Sequence, residues 1–471
     1  MRILFILSDV DSFHKVDIHF GVAYISGFLR ANGYDNVKFL TVTSTDDYNR
    51  IIHEATSFKP DIIGFTSVES QFCNVISLSE MLKETCKCVI VCGGAFTTLD
   101  PECIKMAPHL DGIFIGEGER VFLKFVNAVE QGRDYRSIEN FCFYDKNDDR
   151  IVKNNLLPLD VDLDSLGFPD RDIFNFQMVI DSHGAAPFMF NRGCPYNCSF
   201  CSNHALATAY GRHSNVIRRR SVDSCVSEVE NVDSNFNFDI IYILDDLFIL
   251  YRKWLYEFLD KYKRQIKKPF MCCTRSNLCD DELFEKLKEG GCYKVHMSLE
   301  SGNDFIRNKV LRRNISRETV IKSFKLAAKY GIRVNASSII GLPFETEDMI
   351  KETIDILGSL RIENPSVNIF YPYKGTQLRD VCVEYGMIER EINCGFRERR
   401  ESVLKSPYIT KERLQYYHDN FELLVRLKEG IVPYLGVILK RVARRILPQK
   451  IRGVIRKFKR KYFLSKISSL E

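Results

Sequence analysis

No run of apolar residues in this 471-residue chain approaches the roughly 20 that a membrane-spanning helix needs. A secretory leader is not expected in the first residues, because Met1-Arg2-Ile3-Leu4-Phe5-Ile6-Leu7 is followed at once by Ser8-Asp9-Val10-Asp11. Five apolar residues are too few for a signal core and read instead as a first buried strand. Basic charge is absent from most of the length. The net charge is +5, yet from Gly430 onward twelve Lys and Arg stand against one acid, Glu471, leaving 55 basic and 61 acidic residues ahead of them. Also lacking is the donor set of a structural zinc site: no second CxxC-type pair and no HxxxH lies at a suitable distance from the chain's one cysteine cluster.

Cysteine itself is plentiful. Of sixteen residues, thirteen are scattered and three fall within eight positions, Arg192-Gly193-Cys194-Pro195-Tyr196-Asn197-Cys198-Ser199-Phe200-Cys201. Buried cysteines serve as small hydrophobes in many reduced proteins, which accounts for the scattered ones. The CxxxCxxC run is different, because Gly193 and Pro195 shape a tight turn that aims neighbouring thiolates at one centre. A cubane [4Fe–4S] cluster needs four ligands, so Cys194, Cys198 and Cys201 would leave one iron open. Reduced thiols and an oxygen-labile cluster point to the cytoplasm.

The stretch Phe188 to Ser202, with CxxxCxxC and the aromatic Phe200 just before the third cysteine, resembles the radical S-adenosylmethionine (SAM) superfamily. That resemblance implies that the open iron is chelated by the amino and carboxylate groups of SAM. It further implies that an electron, delivered by a low-potential donor such as a flavodoxin or ferredoxin, splits SAM to a 5′-deoxyadenosyl radical.

Ahead of this motif, residues 1–135 alternate apolar strands with amphipathic helices. Strands are expected at Ile3–Leu7, Val37–Val42, Ile62–Thr66, Val89–Cys92 and Gly112–Ile115, with helical patterns between them, the rhythm of a doubly wound, Rossmann-like parallel sheet. Ligands of such sheets bind beyond the carboxyl ends of the strands, where Gly93-Gly94 and Gly116-Glu117-Gly118-Glu119 fall. Together with Phe20 to Arg30 and Lys59 to Thr66, these blocks resemble the cobalamin-binding domain that precedes many radical SAM cores. The resemblance implies cobalamin contacts at Gly93, Gly94, Gly116, Glu117 and Gly118. Asp17-Ile18-His19-Phe20-Gly21 is one residue short of the D-x-H-x-x-G pattern that supplies a cobalt ligand, so His19 is read as a loop residue beside the corrin. Residues 136–185 lack clear periodicity and read as a linker.

From residue 186 to about 390 the alternation resumes, with strands expected at Phe188–Asn191, Asp239–Leu244, Phe270–Thr274, Lys294–Leu299, Val334–Ile340 and Val367–Phe370. Six strands fit a partial (β/α)6 TIM-type barrel, whose catalytic groups come from carboxyl strand ends. The resemblance implies that Asp245 and Asp246 accept from the SAM ammonium and that Glu300 accepts from the ribose hydroxyls. It also implies that Gly341 and Pro343 border the adenine and methionine parts. For Glu300 an ordinary loop salt bridge is the competing reading. Tyr371-Pro372-Tyr373-Lys374-Gly375 resembles the sixth-strand block of the same cobalamin-dependent group.

The mainly helical remainder divides into a substrate-covering region, 391–430, and a basic tail, 431–471, where cations alternate with Val442, Ile446, Leu447, Ile451, Val454, Ile455 and Phe458. An apolar face among cations suits the anionic inner surface of a membrane and disfavours nucleic acid, which phosphate contacts alone would hold. The chain is thus expected to be α/β with a helical end. By resemblance it is a class B methyltransferase-like enzyme methylating an unactivated carbon of a small-molecule or lipid- or glycan-linked substrate. A cyclase or rearrangement enzyme with the same cofactors is the alternative, and a non-catalytic cobalamin sensor a third reading. Methylthio transfer to tRNA is disfavoured, because Cys73, Cys86, Cys88, Cys92 and Cys103 do not form a second three-cysteine cluster.

Overall fold

The computed structural model describes residues 1–10, 17–211, 217–360, 362–388 and 397–446. Its first layer is a seven-stranded sheet built from β1 (Ile3–Ser8), β2 (Val37–Val42), β3 (Ile62–Thr66), β4 (Val89–Gly93), β5 (Gly112–Phe114), β6 (Phe141–Asp145) and β7 (Arg150–Lys153), in the order β2-β1-β3-β4-β5-β6-β7. β1 pairs parallel to both β2 and β3, with Ile3 opposite Val37 and Ile62. Alternate β1 residues serve different cores: Ile3 and Phe5 face one, Leu4 and Ile6 the other. Burial on both faces is why this strand is a continuous apolar run.

The stretch expected as a linker contributes structure of its own. β6 and β7 extend the first sheet antiparallel, pairing Ile113 with Cys142 and Phe143 with Val152. They escaped the periodicity reading because they are short, edge-lying and only partly buried, so polar residues interrupt the pattern.

The second sheet runs β8 (Ala186–Phe188), β11 (Ile241–Ile243), β12 (Phe270–Thr274), β13 (Cys292–Met297), β14 (Arg333–Ile340) and β15 (Asn364–Ile369), six parallel strands in sequential order that form a half-barrel. Between its first two strands the short strands β9 (Asn191–Arg192) and β10 (Arg218–Arg219) pair antiparallel. Helix Lys411–Glu429, capped by Thr410, lies on helix Glu347–Ser359 and the last strands through Leu414, Tyr417, Phe421 and Val425. Gly430 then turns the chain into helix Ile431–Ile446.

Among the described residues no helix is long and apolar enough to cross a membrane. Among the described residues fourteen cysteines are free, whereas Cys73 is disulfide-bonded, which departs from the expectation that all are reduced. Residue spacing carries no signal for a pairing made by the fold. The tail beyond Ile446 lies outside the described residues.

Candidate active site

The cysteine loop leaves β9 and ends where Cys201 precedes helix Ser202–Ala209. Its turn closes through Cys201 N–H to the Cys198 carbonyl at 3.1 Å. Ser199 fastens it to the half-barrel: its N–H donates to the Leu311 carbonyl at 3.2 Å, its hydroxyl donates to the Val310 carbonyl at 2.6 Å, and its own carbonyl accepts from Leu378 N–H at 2.9 Å. Burial pushes the Cys194 thiol up and that of Cys201 up to about 11. Buried thiols of this kind ionise readily only when a metal binds them. Among the described residues no three metal-ligating side chains converge on a point for one ion. Three thiols spread along a pinned loop suit a cluster, which offers each a separate iron.

The other residues expected around the cluster divide. Asp246 is exposed, and its carboxylate accepts from Gly193 N–H and the Asn203 side chain, so it braces the cysteine loop while one side stays open. Asp245 does not stand ready for a ligand. Its oxygens accept from Phe190 N–H at 2.6 Å and Asn191 Nδ2 at 2.7 Å, and burial raises its pKa to about 7. A carboxyl so enclosed fixes the start of the loop. Glu300 likewise accepts from Arg313 Nη1 at 2.7 Å, in a left-handed backbone conformation (φ 61°), which is the salt bridge of the competing reading.

Gly341 (φ 75°) and Pro343 form a turn closed by the buried Glu345, which accepts from Gly341 N–H at 2.7 Å. Burial lifts the Glu345 pKa to about 8. A side chain on Gly341 would meet Leu414 Cδ2 at 2.6 Å, so helix Lys411–Glu429 covers this turn. Phe200 packs against the apolar cluster of Leu311, Leu342, Phe370 and Leu378.

At the carboxyl edge of the first sheet lies a cavity of 780 Å³, reached by His19, Thr66, Ser70 and Gly94 and walled on the far side by Arg397 and Arg399. Gly94 holds φ 110° and comes so near β3 that a Cβ would stand 2.9 Å from the Ser67 carbonyl. Gly93 has nothing nearer to such an atom than Phe114 Cβ at 3.9 Å. Space and glycine backbone at this edge fit a large flat cofactor. His19 Nδ1 accepts from Val22 N–H at 3.2 Å, which places the ring proton on Nε2, facing Thr66 Oγ1 at 3.3 Å. Burial lowers its pKa, so the ring is neutral.

Gly116, Glu117 and Gly118 each meet other parts of the chain. A Cβ on Gly116 would overlap Tyr210 Oη at 1.7 Å, and that hydroxyl accepts from Glu117 N–H at 2.6 Å. Glu117 pairs with Arg218 at 2.5 Å and Arg192 at 3.3 Å, while Glu119 pairs with Arg192 at 2.6 Å. Gly118 meets Ile25. The motif joins the first sheet to the segment that carries the cysteines, and its glycines make room for Tyr210 and Ile25.

Two further residues lie at the centre of this arrangement without a sequence motif to mark them. Arg275, directly after β12, donates to Cys198 Sγ at 3.6 Å. Arg399 lines the cavity and donates to Tyr373 Oη at 2.8 Å. The only sequence hint for Arg275 is its place at a carboxyl strand end.

Residues 188–357 match the family model of the radical SAM superfamily, and residues 11–126 that of the B12-binding domain. The chain is similar to an uncharacterized methyltransferase of Pyrococcus horikoshii, 26% identical over 468 residues, 95% of this chain and 98% of the relative. It is similar to an anaerobic magnesium-protoporphyrin IX monomethyl ester cyclase of Rubrivivax gelatinosus, 29% identical over 78% of this chain and 66% of the relative. A radical SAM methyltransferase, TsrM from Kitasatospora setae, solved with cobalamin and a [4Fe–4S] cluster bound, shares the fold with a TM-score of 0.68 at 16% identity, over 88% of this chain and 81% of that one.

Proposed function

The chain belongs to the cobalamin-dependent radical SAM enzymes, and on that premise we propose that it methylates an unactivated carbon of a small-molecule or lipid- or glycan-linked substrate. The observation that carries the reading is that Glu398, in the wall of the 780 Å³ cavity, accepts from Ser70 on the first domain and from Tyr373 on the half-barrel, so the cavity is bounded by both cofactor-binding regions. When bound, the cluster with SAM supplies hydrogen abstraction, and cobalamin supplies the methyl group.

In this reading Cys194, Cys198 and Cys201 hold the cluster and Asp246 keeps their loop in place. Gly93 and Gly94 admit the corrin. Phe200, Gly341 and Pro343 shape the SAM side through backbone and packing. The segment 397–400 shields the space from water: Glu398 accepts from Ser70 Oγ at 2.6 Å on the first domain and from Tyr373 Oη on the half-barrel. A flavodoxin or ferredoxin is the proposed donor. Cyclisation is the second reading, favoured by the similarity to the cyclase.

Anaerobic reconstitution with iron, sulfide and hydroxocobalamin, followed by product analysis with SAM and reductant, tests this. S-adenosylhomocysteine and 5′-deoxyadenosine should both form, and neither should form in Cys198→Ala. 5′-Deoxyadenosine alone would overturn methyl transfer.

We also propose peripheral contact with the anionic inner face of a membrane. Ile431, Val432, Leu435 and Leu439 are exposed on helix Ile431–Ile446 beside Lys440 and Arg441, an apolar strip flanked by cations. The full chain should float with vesicles rich in phosphatidylglycerol and not with phosphatidylcholine vesicles; equal flotation or none would sink the idea.

A further inference from the structure

Arg275 is a buried cation, 6% exposed, at the carboxyl end of β12. A charge so far from water needs a counter-charge or a full set of acceptors. Among the described residues no carboxylate lies within ion-pair distance of it, and its acceptors are the Arg313 carbonyl at 2.7 Å from Nη2, Asn277 Oδ1 at 2.9 Å from Nε and Cys198 Sγ at 3.6 Å from Nη1. The nearby acid Glu300 is bound to Arg313, so one carboxylate serves two arginines. The guanidinium also lies over the ring of Tyr196 at 3.7 Å, between the first two cysteines, and Tyr196 Oη accepts from Asn277 Nδ2 at 3.0 Å.

One arm of this fork and its flat face are therefore directed at the cysteine loop, and the missing negative charge is the one a metal-bound Cys198 thiolate would bring. We propose that Arg275 is a positioning residue for the cluster, clamping the loop through Tyr196 and donating to the Cys198 sulfur so as to raise the reduction potential of the iron–sulfur centre. The proposal rests on the cluster reading above. A cation hydrogen-bonded to a ligand sulfur favours the reduced, more negative cluster, and removing it drives the potential down.

The test is a reductive titration of the anaerobically reconstituted full chain, without SAM, followed by electron paramagnetic resonance. Arg275→Gln should retain iron and sulfide at wild-type stoichiometry and show a midpoint more negative by about 59 mV, a tenfold change in a one-electron equilibrium. Arg275→Lys keeps the charge without the planar fork and should fall between the two. It also remains readable if the glutamine variant loses its cluster. A wild-type midpoint in whichever of these variants retains its cluster would overturn the proposal while leaving the cluster assignment intact. A wild-type chain that assembles no cluster would instead sink the functional reading itself.

Discussion

At the carboxyl edge of the first sheet, β1 to β4 stop short of a 780 Å³ space, whereas at the edge of the half-barrel Asp245, Glu300 and Glu345 already have protein partners. The same contrast separates two glycine pairs on one sheet. Gly93-Gly94 adjoins open space, but Gly116-Glu117-Gly118 is filled by Tyr210 and Ile25 and tied down by Arg192 and Arg218. A glycine at a strand end therefore does not by itself say what lies beside it, open space in one case and the chain's own aromatic ring in the other.

The strongest way to break this contrast is at the filled side. Arg192→Met leaves the buried Glu119 without its cation, and removing one member of a buried pair costs about 3–5 kcal/mol. Urea unfolding should show a loss of that order, and a loss below about 1 kcal/mol would mean the pair is effectively solvated. Next comes an exchange of alanines. Gly116→Ala must displace Tyr210 at a positive φ, for which a destabilisation of about 1–3 kcal/mol is expected, with part recovered in the Tyr210→Ala background. Gly93→Ala has room and should unfold like the wild type while retaining less hydroxocobalamin after desalting. Equal cobalamin loss in both single variants would erase the distinction drawn here.

The smallest effect is a pH dependence. Burial raises the folded pKa of Glu345 to about 8 from an ordinary value of 4.5, so the folded state holds this proton more tightly than the unfolded chain does. Its contribution is complete below about pH 4 and is lost as pH rises to about 8. Glu345→Gln should flatten that part of the urea-midpoint profile between pH 5 and 8.5, and unchanged slopes would show that the carboxyl is not protonated in the fold.

Much of the fold was legible in the sequence because strands such as Ile3–Ser8 and Ile62–Thr66 are mainly apolar and buried on both faces. Val37–Val42, Ile62–Thr66 and Phe270–Thr274 coincide with expectation to the residue. β6 and β7 were not legible, since an edge strand with one wet side gives a weak pattern. In the site, thiols within eight residues announce themselves through spacing. The protein partners of Asp245 and Glu300 did not, because a carboxylate at a strand end looks the same in sequence whether it awaits a ligand or already holds a backbone amide or an arginine. Tyr210 meets Glu117 across 93 residues and Arg275 meets Cys198 across 77, distances at which no local pattern operates.

The segment from Arg397 to Arg400 carries a consequence of a different kind, one of timing. Glu398 joins Ser70 to Tyr373, and the Arg399 carbonyl accepts from Ile369 N–H at 2.8 Å, so this wall exists only once both domains are in place. Because it follows both in the chain, synthesis delivers it after the cavity's other walls. Until it is laid down the space stands open on that side.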